Sequence, residues 1–373
     1  MKRLVPLILI LLLSLTAQSK ERPKVSFAYD VDFEMMFDNR EFAKSKFTPS
    51  MTIFGARLTP QAGIALKEEN GACHRLMLGI DVMKDFGSGK DLDLFQEISM
   101  YYRFRKKISG TDMEIYAGIF PRRTMEGQWS QAFFSDSLTF YDNNLEGLLL
   151  KLRRPKAYFE LGADWMGMTG EYRRERFMIF SSGQGRILPY THLGYSAYVY
   201  HYAGSRKVRG VVDNILLNPY LTIDLSRPLG IQDFNITAGW IQALQNDRKN
   251  IGTYTFPGGG ELDIEVRNWN VGVRNRLYIG RDIMPLYNKL DAGGFKYGNE
   301  NLYLGDPFYR VNDRGEHKVG SYDRLEIFYA PKVGNCVSIS IKAVLHFNEL
   351  KYSGFQQMVG VKFNIQEMIN RKR

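Results

Sequence analysis

The stretch Val25-Ser26-Phe27-Ala28-Tyr29-Asp30-Val31-Asp32-Phe33-Glu34-Met35 alternates without a break between an apolar series and a small or acidic one. Successive side chains of a β-strand point to opposite faces, so this period of two predicts a strand with one greasy face and one wet face. The pattern returns along the chain. Leu76, Leu78, Ile80 and Val82 alternate with Arg75, Met77, Gly79 and Asp81. Phe159, Leu161, Ala163 and Trp165 alternate with Tyr158, Glu160, Gly162 and Asp164. Val337, Ile339, Ile341 and Leu345 alternate with Ser338, Ser340, Lys342 and His346.

A soluble β-sandwich would show the same alternation, and three features separate the two. The segments are long enough, at about 10 residues or more, to cross a bilayer as tilted strands. Their apolar faces carry almost no charge. The connections also alternate in length: short ones at 68–72, 106–112, 153–156, 226–232 and 331–335, longer polar ones at 39–49, 85–93, 121–144 and 246–260. Barrels of the outer membrane have short periplasmic turns and long external loops. The expectation is therefore an all-β fold, a transmembrane antiparallel up-and-down β-barrel of about 16 strands. Residues 261–279 read as one strand and 298–305 as the next; if 280–317 is a single excursion, the count becomes 14.

Composition agrees. The mean hydropathy of −0.30 fits a barrel, whose strands are only half apolar. The 24 Phe and 22 Tyr suit the aromatic girdles at the two membrane interfaces. Lys2 and Arg3, the apolar run 4–13 and the small polar stretch 14–19 read as a signal peptide over residues 1–19, cleaved after Ser19. That run is too short for a helical span, which needs roughly 20 apolar residues. The barrel would then occupy 20–373. Export makes nucleic acid an improbable partner for the net charge of +10, which suits lipopolysaccharide phosphate or an anion-attracting lumen. Cys73 and Cys336 fall on strands that the topology separates, so both read as free thiols.

The hairpin pattern and the final strand Met358-Val359-Gly360-Val361-Lys362-Phe363-Asn364-Ile365 resemble bacterial outer-membrane barrels of the porin type. The resemblance covers the whole mature chain. It implies a Gram-negative outer-membrane location, passive passage of small polar solutes, and a third external loop that folds inward and narrows the lumen; the mixed, somewhat basic polar faces of the strands add the expectation of an anion or saccharide bias. Here that loop is 121–144, with Arg122, Arg123, Glu126, Trp129 and Asp136. The polar strand faces add Arg57, Arg75, Arg103, Arg105 and Arg274 as pore-lining candidates, together with acids such as Asp30, Asp81, Glu160 and Asp164. Arg173, Arg174 and Arg176 lie in an external hairpin, where guanidinium could meet lipopolysaccharide phosphate.

Two other readings stay open: a plugged barrel that binds or scaffolds envelope proteins or further copies of itself, and a lipid hydrolase of the membrane. Ester hydrolysis needs a nucleophile within hydrogen-bond reach of a base. The histidines are His74, His192, His201, His317 and His346, and none has a serine two residues away. No Gly-x-Ser-x-Gly, metal-ligand cluster or cofactor motif is present in the sequence.

Overall fold

The computed structural model describes residues 23–89, 93–291, 293–311 and 318–366. The expected signal peptide lies outside the described residues. Sixteen long strands form one antiparallel sheet: β1 Lys24–Glu41, β2 Met51–Lys67, β3 Cys73–Asp85, β4 Asp93–Ile108, β5 Thr111–Pro121, β6 Asn144–Arg154, β7 Ala157–Gly167, β8 Arg176–Leu188, β9 Thr191–Ala203, β10 Val211–Asp224, β11 Asp233–Asp247, β12 Gly258–Asn268, β13 Val271–Gly280, β14 Gly320–Tyr329, β15 Val337–Asn348 and β16 Lys351–Gln366. A two-residue extension, Lys332–Val333, pairs with the start of β15. Each strand pairs with its neighbours in sequence, and β1 closes on β16 from Asp30 opposite Gln366 to Glu41 opposite Phe355. The sheet is a closed antiparallel barrel. Closure matters because an open sheet edge in hydrocarbon would leave peptide groups unpaired.

Burial is inverted relative to a water-soluble protein. Ile64, Leu76, Leu78 and Met100 are each more than half exposed on the outer wall, whereas Arg57, Asp81, Glu160 and Arg324 are almost wholly buried. The alternation therefore sorts side chains as the sequence implies: apolar residues face lipid, charged ones face the lumen.

The strand count agrees with expectation, but two errors cancel within it. Residues 261–279 are not one strand; they are β12 and β13, joined by Trp269 and Asn270 with φ of 50° and 65°. Two consecutive residues at positive φ make a two-residue hairpin turn whose twist matches the flanking strands. Residues 298–305 are not a strand either: between Gly280 and Gly320 no strand occurs among the described residues. The alternation of loop length also fails at the last hairpin, where Glu349 and Leu350 alone join β15 to β16 at the end that carries the long loops. Cys73 and Cys336 are free.

Candidate functional site in the lumen

The lumen is filled from within mainly by two connections, L3 (122–143), between β5 and β6, and the described residues 281–291 and 293–311 of L7, between β13 and β14; Phe42 and Phe47 of the β1–β2 connection pack against them. L3 leaves β5 at Pro121, makes a short 3-10 turn and then a helix, α1 (Asp136–Tyr141). Ser135 caps α1, its Oγ accepting from the Leu138 N–H at 3.3 Å. The inserted loop that the resemblance implied is thus present.

Charged pairs tie L3 to the wall at four places. Arg122 donates to Asp142 at 2.8 Å and to Asp164 of β7 at 3.2 Å. Arg123 reaches across to β1, 2.6 Å from Asp30 and 3.5 Å from Asp32. Glu126 pairs with Lys151 at 3.4 Å and with Arg153 of β6, while its backbone N–H donates to Glu160 at 2.7 Å. Asp136 meets Arg324 of β14 at 3.0 Å. Burial alone would raise the Asp136 carboxyl, but Arg324, with Lys342 and Arg276 near it, holds it well below the usual carboxylate range.

L7 is held differently. Its Ile283, Met284, Leu286, Leu302, Phe308 and Tyr309 are buried in the interior cluster. Wall side chains donate to its backbone carbonyls: Tyr200 to Asn301 at 3.1 Å, Tyr202 to Glu300 at 2.8 Å, Asn214 to Leu302 at 2.9 Å and Gln245 to Ile283 at 2.8 Å. The two loops also bond to each other, Ser135 N–H to the Leu304 carbonyl and Asp306 N–H to the Gln131 carbonyl. A Cβ at Gly305 would fall 2.0 Å from the Ala132 carbonyl oxygen, so glycine is what lets the loops approach.

Polar cavities remain on both sides of this plug. One, of about 570 Å³, lies at the loop end against α1 and is lined by Arg40, Asp142, Glu146, Asp164 and Arg176 among others. A second, of about 350 Å³, lies toward the turn end beneath Gln128, Trp129 and Ser130 and is walled by β10–β13.

Each pore-lining candidate sits on the inner side of the wall or in L3, and nearly all are engaged. Arg57 bonds Asp81 at 2.8 Å and the Tyr141 carbonyl at 3.0 Å, and stands 5.7 Å from the Phe140 ring centre. Arg103 holds Glu114 at 3.1 Å and lies over Tyr116, Arg105 approaches the same carboxylate at 3.6 Å, and Arg75 stands in register with Arg103. Arg274 holds Asp263 at 2.6 Å. The external arginines separate. Arg173 faces solvent, whereas Arg174, expected at the surface, is buried over Tyr202 and pairs with Asp291 of L7. Arg176 turns to the Met166 carbonyl and lines the loop-end cavity. Arg174 is therefore a structural tie for L7 and not a free phosphate contact.

Sequence reasoning missed Arg324, a fully buried cation that joins Asp136 at 3.0 Å, Glu326 at 3.0 Å and Gln131. Its signal was available: Tyr322, Arg324, Glu326 and Phe328 share one face of β14, opposite Leu325, Ile327 and Tyr329.

Four of the histidines lie among the described residues, and the hydrogen bonds of two of them go to tyrosine, glutamine and glutamate partners. His346 lies in the lumen between Tyr322 at 2.9 Å and Gln356 at 3.1 Å. His74 stands between Tyr102 at 2.7 Å and Glu68 at 3.0 Å, and His201 stacks on Phe177. Among the described residues, no histidine hydrogen-bonds a serine; His317 lies outside them.

Comparison with curated proteins gives no match. Solved structures similar to the chain include Pseudomonas aeruginosa OccD3 (OpdP), at 10% identity and TM-score 0.47, covering 94% of each chain. Acinetobacter baumannii OccAB3 is 9% identical with a TM-score of 0.47, over 91% of this chain and 99% of that one. Pseudomonas aeruginosa OpdO is 9% identical with a TM-score of 0.49, over 92% and 98%. The model of one protein family, described as lipid A 3'-O-deacylase-type, matches residues 18–364. The chain is an outer-membrane β-barrel that belongs to the lipid A 3'-O-deacylase-type family.

Proposed function

We propose that the barrel is a selective channel for small polar solutes, with its selectivity at the constriction that L3 and L7 build. The observation that carries this reading is the pair of polar cavities, one on each side of a plug whose L3 half is fastened by ion pairs. Larger barrels leave an aqueous path unless something fills it, and charged rings with a narrow waist select by size and charge. In this reading Arg57, Arg75, Arg103, Arg105, Arg122, Arg123, Glu126, Asp136 and Arg274 set the field of the path through their ion pairs. Long loops would face the exterior and short turns the periplasm. Single-channel recording in a planar bilayer tests it: stable ohmic steps support the channel, and a silent protein overturns it.

The family match favours a second reading, hydrolysis of an acyl ester of lipid A. That chemistry needs an activated nucleophile, and the histidines described above have Tyr, Gln and Glu partners in place of serine. Its test is release of fatty acid from purified lipid A, read by mass spectrometry. Release by the wild-type barrel would establish the hydrolase, and none would leave the channel.

A further inference from the structure

The wall is not zipped to the same height at every seam. β6 begins at Asn144 and β7 ends at Gly167, but the ladder between them starts only at Gly147 opposite Asp164. On their other sides both strands are paired to those ends: β6 with β5 up to Asn144 opposite Pro121, and β7 with β8 up to Gly167 opposite Arg176. Residues 144–146 and 165–167 therefore stand side by side without ladder pairing. The register of β7 to β8 also slips here, between Trp165 and Gly167. Such bulges occur where a strand stops pairing or a side chain is re-aimed.

Side chains take the place of the missing rungs, since backbone polar groups need partners. The Glu146 N–H donates to Asp164 Oδ1 at 3.0 Å. The Asn144 carbonyl accepts from Arg122 Nη2 at 3.2 Å, and the Met166 carbonyl from Arg176 Nη2 at 3.1 Å. Arg122 holds both edges, because the same Nη2 also lies 3.2 Å from Asp164 Oδ2. It comes from L3, so the seating of L3 and the closure of this seam share one guanidinium.

The loop-end cavity runs to the seam: Asn144 and Glu146 line it from one edge, Asp164 and Met166 from the other. Met166 packs against the interior cluster, whereas Glu146 is exposed. Glu146 belongs to a row of the outer wall that is otherwise apolar, in register with Ile119 of β5 and, through it, Met100 of β4, with Trp165 beside it on β7. An ionisable side chain in such a row is costly and marks a functional position. The ladder of β4 and β5 also ends early, before Pro121, but no residue of that gap lines the cavity. The β6–β7 seam thus has a polar inner side and an outer rim of exposed Met100, Leu148 and Trp165. A polar head on a hydrocarbon chain matches both sides, and about 570 Å³ lies within the range of small-molecule sites. We infer that the loop end of the β6–β7 seam is a lateral gate, latched by Arg122, through which a membrane amphiphile places its head in the cavity while its chain stays in the bilayer. This path runs sideways through the wall and requires neither conduction along the barrel nor ester hydrolysis.

The test is lipid-phase labelling of the full barrel in phosphatidylcholine vesicles doped with phosphatidylethanolamine that carries a maleimide on its head. In a background of Cys73→Ser and Cys336→Ser, Met166→Cys places a thiol at the seam. Gln356→Cys places one in the same cavity on β16, whose ladder to β1 runs unbroken past it. Met168→Cys, exposed just beyond β7, reports that the probe reaches this side of the barrel. Each labelling rate is divided by the rate with a water-soluble maleimide, and heat-modifiable migration on a gel confirms that each variant is folded. The ratio should be clearly higher for Met166→Cys than for Gln356→Cys. Adding Arg122→Lys, which keeps the charge but loses the planar fork, should raise the Met166→Cys ratio about tenfold, the scale of one charge-assisted hydrogen bond, and leave that of Gln356→Cys unchanged. Equal ratios at Met166→Cys and Gln356→Cys, with Met168→Cys labelled, would mean that lipid heads arrive only over the rim and would overturn the gate. No rise in folded Arg122→Lys would overturn the latch. A barrel silent in planar bilayers can still pass this test, and a conducting one can still fail it, so the gate and the channel are judged separately.

Discussion

L3 and L7 occupy the same lumen by different physics. L3 is fastened by charge: Arg122, Arg123, Glu126 and Asp136 each reach an oppositely charged wall residue. L7 is fastened mainly by apolar packing and by wall side chains that donate to its backbone carbonyls. Its main ionic tie is Arg174 to Asp291 and Glu300. Packed apolar contacts and buried backbone bonds have no soluble competitor. Ion pairs facing a wet cavity do, because salt and charged solutes can exchange with them. The difference makes L7 the fixed half of the constriction and L3 the adjustable half.

The largest test of that contrast is Arg324→Ala. It leaves Asp136 and Glu326 facing each other in a low-dielectric lumen, and losing one partner of such a buried pair costs about 3–5 kcal/mol. The expected outcome is a lower unfolding midpoint in the gel-shift assay and protease cleavage within L3, with partial recovery in the double variant Arg324→Ala, Asp136→Asn. An unchanged midpoint would mean that charge does not seat L3. Next is Leu302→Ala in L7, a fully buried side chain whose truncation should cost about 2–5 kcal/mol through lost contacts and a cavity. Its distinguishing readout is salt: its midpoint should fall equally at low and high ionic strength, whereas the Arg324→Ala deficit should shrink as salt rises.

Arg123→Ala should do less. Its side chain is 29% exposed, so the pairs with Asp30 and Asp32 are partly screened and their loss should be about 1 kcal/mol or below. Noisier single-channel current with near-normal stability would match that; a loss as large as that of Arg324→Ala would contradict the ranking. The smallest effect is one of pH. Because the folded Asp136 carboxyl is depressed, its stabilising pair is fully present above the ordinary carboxylate pKa and is lost only as pH falls through the depressed value. L3 protection from protease should therefore stay constant from pH 8 down to about 5. Release of L3 within that window would show that the Asp136–Arg324 pair does not control how L3 is seated.

Much of the wall was readable because a strand's period is two and lipid demands one apolar face. That rule alone placed Arg57, Arg103 and Arg274 inside the barrel. The lumen contents were less readable, since a loop that folds inward is chosen by tertiary packing and not by local pattern. L3 was found through its length and aromatics. L7 was mistaken for a strand at 298–305, because its aromatic residues imitate a strand face while in fact packing into the plug. The hairpin at Trp269 and Asn270 escaped because its turn lacks the Asn-Gly or Asp-Gly pair that usually marks positive φ. Arg174 was misplaced because its partners, Asp291 and Glu300, are more than 100 residues away and no local signal points inward.

The seam between β1 and β16 has a consequence for biogenesis. Its paired residues, such as Asp30 and Gln366, are separated by almost the whole chain, the most non-local strand pairing among the described residues. Contacts of that sequence separation form late and slowly. Until β16 is in place, β1 and β15 are open edges, which hydrocarbon does not tolerate and neighbouring chains can pair with. Translation products that stop before residue 351 cannot persist as partial barrels; they must be held by other proteins in the periplasm or be degraded. The last sixteen-residue strand thus acts as a proofreading step for the whole chain.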